Sequence, residues 1–177
     1  MSTSLVLTVI GNDKPGLIET LSQTIADHGG SWMESRLARL AGKFAGVLRV
    51  SVPDANAKAL TAALLAEDSQ GLSVIVERAP AQDSAATDRA LSLQLIGQDR
   101  PGIVREVAQA LGQVKGTIDE MESEIVDASM SGETLFQAHV KLRVPGSVPV
   151  EDLRGVLEAL ADELMVDITL DEAPAAG

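Results

Sequence analysis

Asn12, Asp13, Lys14, Pro15 and Gly16 lie consecutively in the stretch IGNDKPGLIETL, Ile10 to Leu21. Further along, Gln98, Asp99, Arg100, Pro101 and Gly102 repeat the arrangement in IGQDRPGIVREV, Ile96 to Val107. Three chemistries suit a glycine-bearing corner of this kind. A phosphate loop needs G-x-x-x-x-G-K-[ST], and Gly11 and Gly16 have its glycine spacing, but Leu17 and Ile18 stand where Lys and Ser/Thr belong. The dinucleotide fingerprint G-x-G-x-x-G is absent. The third is a small zwitterion. Unpaired N–H groups at a helix start favour a carboxylate, and Gly16 or Gly102 lets a ligand approach the backbone. Asp13 or Asp99 would hold an ammonium group, with Asn12 or Gln98 adding amide hydrogen bonds. The same residues also read as a plain helix start, with Asp13 and Asp99 as caps, Pro15 and Pro101 in the first turn, and the glycines easing helix–strand packing.

The elements that must position these corners recur with them. Leu5, Leu7 and Val9 in one strand and Leu91, Leu93 and Leu95 in another alternate with more polar neighbours, so each set should face a core. A helix follows in each copy, about 15–28 and 101–114, with Leu17, Ile18, Leu21 and Ile25 on one stripe and Ile103, Val104, Val107 and Leu111 on the other. Gly29, Gly30 and Gly116 signal the helix ends. Second strands are expected at about 31–40 and 117–126. Turns at Gly42 and at Ser131-Gly132 lead into third strands, FAGVLRVSVP and FQAHVKLRVP. Second helices at about 55–68 and 150–164 and fourth strands at 72–77 and 166–171 complete each copy.

The order β-α-β-β-α-β, met twice, predicts an α+β protein of two ferredoxin-like modules. Each is a four-stranded antiparallel sheet with two helices on one face. The expected boundaries are residues 1–80 and 91–172 for the modules, 81–90 for a linker and 173–177 for a frayed tail.

Composition narrows the function. Only 2% of residues are aromatic, which leaves little for base stacking. The net charge is −12; residues 1–80 hold 7 Lys/Arg against 8 Asp/Glu, and residues 81–177 hold 7 against 18. A polyanion would be repelled by the second half, so direct nucleic-acid binding is disfavoured. There is no cysteine, hence no disulfide and no thiol chemistry. No basic leader and no apolar run of ~18 residues is visible, so a cytoplasmic protein away from the membrane is expected.

The G-x-D-x-P-G corner between first strand and first helix, with the β-α-β-β-α-β order, resembles the ACT domain, a regulatory module that binds amino acids. Both copies carry the resemblance. SRLARLAGKFAGVLRVSVP (Ser35–Pro53) is similar to the corresponding part of the stand-alone tandem repressors of the glycine cleavage system. The resemblance implies a ligand touching the strand–helix corner, which carries over to Asn12, Asp13, Gly16, Leu17 and Ile18 and to Gln98, Asp99, Gly102, Ile103 and Val104. It also implies glycine as the signal, a transcription-activating protein as partner, no cofactor, no catalysis and a possible homodimer. Lys115 and Asp119 replace Gly29 and Met33 of the first copy, so the two corners need not bind equally. An accessory module whose corners bind nothing is the alternative.

Other clusters read as structural. In IDEMESEIVD (Ile118–Asp127), strand alternation puts Glu120, Glu122 and Glu124 on one face and Asp119, Met121, Ser123 and Ile125 on the other, too spread for a calcium cage. The equivalent first-copy strand has Arg36 and Arg39, expected to face those glutamates across a module interface, where Trp32 is also expected. His28 should end its helix as a capping group, and His139 should share a strand face with Lys141 and Arg143. No nucleophile–base pair can be assembled.

Overall fold

Strict alternation in the first strand decides the architecture, because only one of its faces is apolar enough to be covered. In the computed structural model, which describes residues 1–80 and 87–172, Leu5, Leu7 and Val9 are buried while Val6, Thr8 and Ile10 point away. The first module runs β1 (Ser2–Asn12), α1 (Leu17–Asp27), β2 (Ser31–Leu40), β3 (Lys43–Pro53), α2 (Ala57–Ala66) and β4 (Leu72–Arg78). Single 3-10 turns, Asp54–Asn56 and Glu67–Gln70, flank α2. The second runs β5 (Asp88–Gln98), α3 (Ile103–Gln113), β6 (Thr117–Asp127), β7 (Thr134–Pro145), α4 (Val150–Leu164) and β8 (Val166–Glu172).

The sheets are antiparallel, in the orders β2-β3-β1-β4 and β6-β7-β5-β8, as the repeated β-α-β-β-α-β pattern predicts. The chain divides into two compact units, Met1–Asp83 and Ser84–Gly177. β5 begins at Asp88, inside the stretch read as linker. Residues 81–86 of that linker, and the tail 173–177, lie outside the described residues. Among the described residues no helix is long and apolar enough to cross a membrane.

Each module has its own aliphatic core. In the first, Leu7, Val9 and Leu48 of the sheet meet Leu21 and Ile25 of α1 and Leu60 and Leu64 of α2. In the second, Leu93, Leu95 and Val140 meet Val107 and Leu111 of α3 and Leu153 and Leu157 of α4. Burying a Leu or Ile side chain stabilises by about 1.5–3 kcal/mol, so these stripes and not helix propensity hold the short helices in place. Trp32, expected at a module interface, is half-buried against the core of its own module.

Two backbone features depart from simple alternation. A bulge interrupts β2 between Trp32 and Glu34, and another interrupts β6 between Ile118 and Glu120. The extra residue re-aims its neighbours. Asp119 is thereby brought to Arg143, which donates from Nε and Nη2 to its carboxylate at 2.8–2.9 Å. Those hydrogen bonds and the carboxylate's charge raise the already high Arg143 pKa. Glu120 of β6 likewise pairs with Lys141 at 2.9 Å. Arg39, expected to face the glutamates of β6, pairs with Asp13 of its own module.

The helix ends differ in a testable way. α1 closes on Gly29 at φ 69°, whose N–H donates to Ala26 O while Gly30 N–H donates to Ile25 O. α3 closes in the same manner, but Lys115 takes the left-handed position at φ 54°. A side chain there costs about 1–2 kcal/mol, partly offset by the entropy that glycine loses on folding. Lys115→Gly is therefore expected to stabilise the protein by about 0.5–1 kcal/mol, measured as a rise in the urea midpoint.

Candidate functional site

The corner is built by a strand that keeps going and a glycine that turns it. Gly11 and Gly97 do not form the turn; both remain inside β1 and β5. A Cβ on Gly11 would stand 2.6 Å from Gly71 O, and one on Gly97 would stand 2.1 Å from Val166 Cγ1. These glycines let β4 and β8 close on the central strand. The turn itself is made by Gly16 at φ 88° and Gly102 at φ 89°, each in the left-handed region at the N-terminus of its helix. The helices accordingly start at Leu17 and Ile103, not at the prolines, with Thr20 N–H donating to Gly16 O and Glu106 N–H to Gly102 O.

With glycine at the cap position, neither helix has a side-chain cap. The capping role considered for Asp13 and Asp99 does not occur. The Asp13 carboxylate instead forms an ion pair with Arg39, Nε lying 2.9 Å from Oδ2, and the Asp13 backbone N–H donates to Gly42 O. Asp99 N–H donates to Thr134 O in the same way. Asn12 Oδ1 accepts from Lys43 Nζ at 2.7 Å. First-turn amides have no acceptor within a helix, and among the described residues no side-chain cap supplies one.

The ten expected contact residues fall into distinct groups. Leu17 and Ile103 are buried, so their side chains anchor the helix and only their backbone can meet a ligand. Ile18 and Val104 are exposed at 40% and 44%, leaving them available at the surface. Gly16 and Leu17 line a cleft of about 220 Å³, together with Lys14, Pro15, Thr20, Glu67, Gln70 and Leu72. Asn12, Asp13 and Ile18 are not part of its lining.

At the second corner Arg100 pairs with Glu106. A Cβ on Gly102 would stand 3.4 Å from Arg105 Nη2, whereas above Gly16 there is open space. Arg105 and Glu106 of α3 thus lie close over Gly102, where nothing lies within 4 Å of a Cβ on Gly16.

Lys14, Thr20, Glu67 and Gln70 are cleft residues that the sequence reading did not single out. Lys14 Nζ donates to Gln70 O at 2.6 Å. Glu67 is 5% exposed, and among the described residues it is the one buried polar side chain. Its signal was present: Leu60, Leu64 and Glu67 follow the spacing of one helical stripe, which places the glutamate on the buried face. His28 closes α1 as expected, its ring Nδ1 lying 2.8 Å from Thr24 O. Among the described residues no three of His, Asp and Glu gather closely enough to hold a metal ion.

Residues 3–77 match the family model of the ACT domain, and the second module repeats the topology of the first, so the chain has a tandem ACT-like fold. It is similar to the glycine cleavage system transcriptional repressors of Escherichia coli (strain K12) and Shigella flexneri. Each is 24% identical over 164 residues, spanning 90% of this chain and 85% of the relative. Among solved structures, an unknown protein from Galdieria sulphuraria superposes with a TM-score of 0.88 at 28% identity, covering 98% of this chain and all of that one. A candidate glycine cleavage system transcriptional repressor shares the fold at a TM-score of 0.73 and 19% identity, over 98% of each chain.

Proposed function

We propose that this chain is an amino-acid-sensing regulator without a catalytic step, of the glycine-cleavage-repressor kind. It would act in the cytoplasm through a transcription-activating protein partner rather than by reading DNA. The observation that carries the reading is the uncapped start of α1: left-handed Gly16 begins the helix without a side-chain cap, and Gly16 and Leu17 line a cleft of about 220 Å³. Such amides favour a carboxylate. The similarity to the two repressors runs through 90% of the chain, and the net charge of −12 disfavours a polyanion partner. Glycine is the favoured signal, and self-association into a homodimer belongs to the same reading. A ligand with different affinities for two conformations shifts their populations, and a partner that distinguishes them reads the signal.

A thermal-shift panel of the twenty amino acids on the full chain tests this. Selective stabilisation by one or a few small amino acids is expected, reaching about 2.7 kcal/mol at a ligand concentration a hundred times Kd. Silence across all twenty favours a second reading, an ACT scaffold that modulates a metabolic enzyme. One observation supports that alternative for the second module: Arg100, Arg105 and Glu106 crowd the Gly102 corner with the module's own side chains.

A further inference from the structure

A buried carboxylate oxygen without a donor is costly, by several kcal/mol in apolar surroundings, and native proteins seldom keep one without a use. Glu67 has such an oxygen. Its Oε1 accepts from Thr24 Oγ1 at 2.6 Å, while Oε2 is buried and has no hydrogen-bond partner among the described residues. Glu67 lines the same cleft as Lys14, Gly16, Leu17 and Thr20. Lys14 brings a cation to that cleft but gives its hydrogen bond to the Gln70 carbonyl. An anion and a cation thus line one cavity without neutralising each other.

The second module shows that the fold does not need a glutamate there. Buried Leu153, Leu157 and Leu160 of α4 repeat the spacing of Leu60, Leu64 and Glu67, so Leu160 stands where Glu67 does. Thr24 is matched by buried Ala110 of α3, and Ala110 and Leu160 line one groove between their helices. An apolar pair fills in one copy the place that a hydroxyl and a carboxylate fill in the other.

We propose that this cleft of the first module seats a small α-amino acid, with Glu67 Oε2 accepting from its ammonium group. Lys14 and the first-turn amides of α1 take its carboxylate. The inference rests on the amino-acid-sensing reading and assigns the ammonium partner within it, in place of Asp13, whose carboxylate is occupied by Arg39. Size agrees: a water's share of the liquid is about 30 Å³, so the 220 Å³ cleft holds about seven such volumes, enough for glycine, alanine or serine.

The test titrates glycine, L-alanine and L-serine, with acetate and methylamine as half-ligands, into the full chain by calorimetry. Variants are Glu67→Gln, the near-isosteric change, Glu67→Leu, which installs the second module's residue, and Asp13→Asn. At least one of the three amino acids is expected to bind the unaltered chain, and neither half-ligand to match it. Both Glu67 variants should lose about a hundredfold in affinity, the usual consequence of removing one member of a buried charge pair, while Asp13→Asn changes it little. Circular dichroism and the melting temperature of each variant without ligand establish that it is folded. Amino-acid binding that survives in folded Glu67→Gln overturns the seat and leaves the sensing reading standing. An unaltered chain silent to all three amino acids while another of the twenty binds also overturns it, and silence to all twenty removes both.

Discussion

Leu7→Ala and Leu93→Ala are each expected to cost about 2–5 kcal/mol, read as a lowered urea midpoint at unchanged m-value. Both leucines are fully buried at the centre of the middle strand of their sheets, Leu7 paired with Leu48 and Val76, Leu93 with Val140 and Leu170. With almost no aromatic residues, each core is filled by aliphatic side chains, and three lost heavy atoms leave a cavity that neighbours fixed by strand pairing cannot close. The control is one position away. Thr8 lies on the opposite, exposed face of β1, and Thr8→Ala should cost no more than about 1 kcal/mol. Equal costs at Leu7 and Thr8 would contradict a one-sided sheet.

Gly97→Ala should be nearly as damaging, about 3 kcal/mol, with the sign opposite to the usual one. A glycine replaced by alanine where the backbone permits it generally stabilises, by about 0.4–1 kcal/mol. At Gly97 the new methyl would lie 2.1 Å from Val166 Cγ1, 2.8 Å from its Cβ and 3.1 Å from its Cα. Val166 is buried and β-branched, so its side chain cannot rotate clear, and β8 must move off β5 where their pairing begins. Val166→Ala in the same chain should recover only part of the loss, because the two longer contacts persist. Gly11→Ala meets the Gly71 carbonyl at 2.6 Å and offers no side chain to trim. Measured stabilisation at either glycine would show that the strands do not close as described.

Much of this was legible in one dimension. The duplicated corner, the strand alternation and the helix stripes are properties of residues within a few positions of one another, and each reports a local period that burial then honours. Leu5, Leu7, Val9, Leu91, Leu93 and Leu95 all reached a core for that reason. The corner's glycines were recognised as special, but the close packing expected at Gly16 and Gly102 falls mainly at Gly11 and Gly97. Sequence spacing marks where glycine stands and not which neighbour excludes a side chain.

What a polar group does at the site depended on partners far along the chain. Asp13 looked like a cap or an ammonium holder; it caps nothing, and its carboxylate pairs with Arg39. Lys14 reaches a carbonyl 56 residues away, and Glu67 reaches a threonine 43 residues away. Glu67 also lay in a helix expected to run through residue 68, where the chain actually tightens into a 3-10 turn. The sequence by itself determined two copies of one sheet-and-helix module, because hydrophobic periodicity is a short-range pattern. Only the tertiary structure decided which charges are neutralised and which is left facing a cavity, because burial and pairing are set by atoms that the fold, not the chain order, brings together.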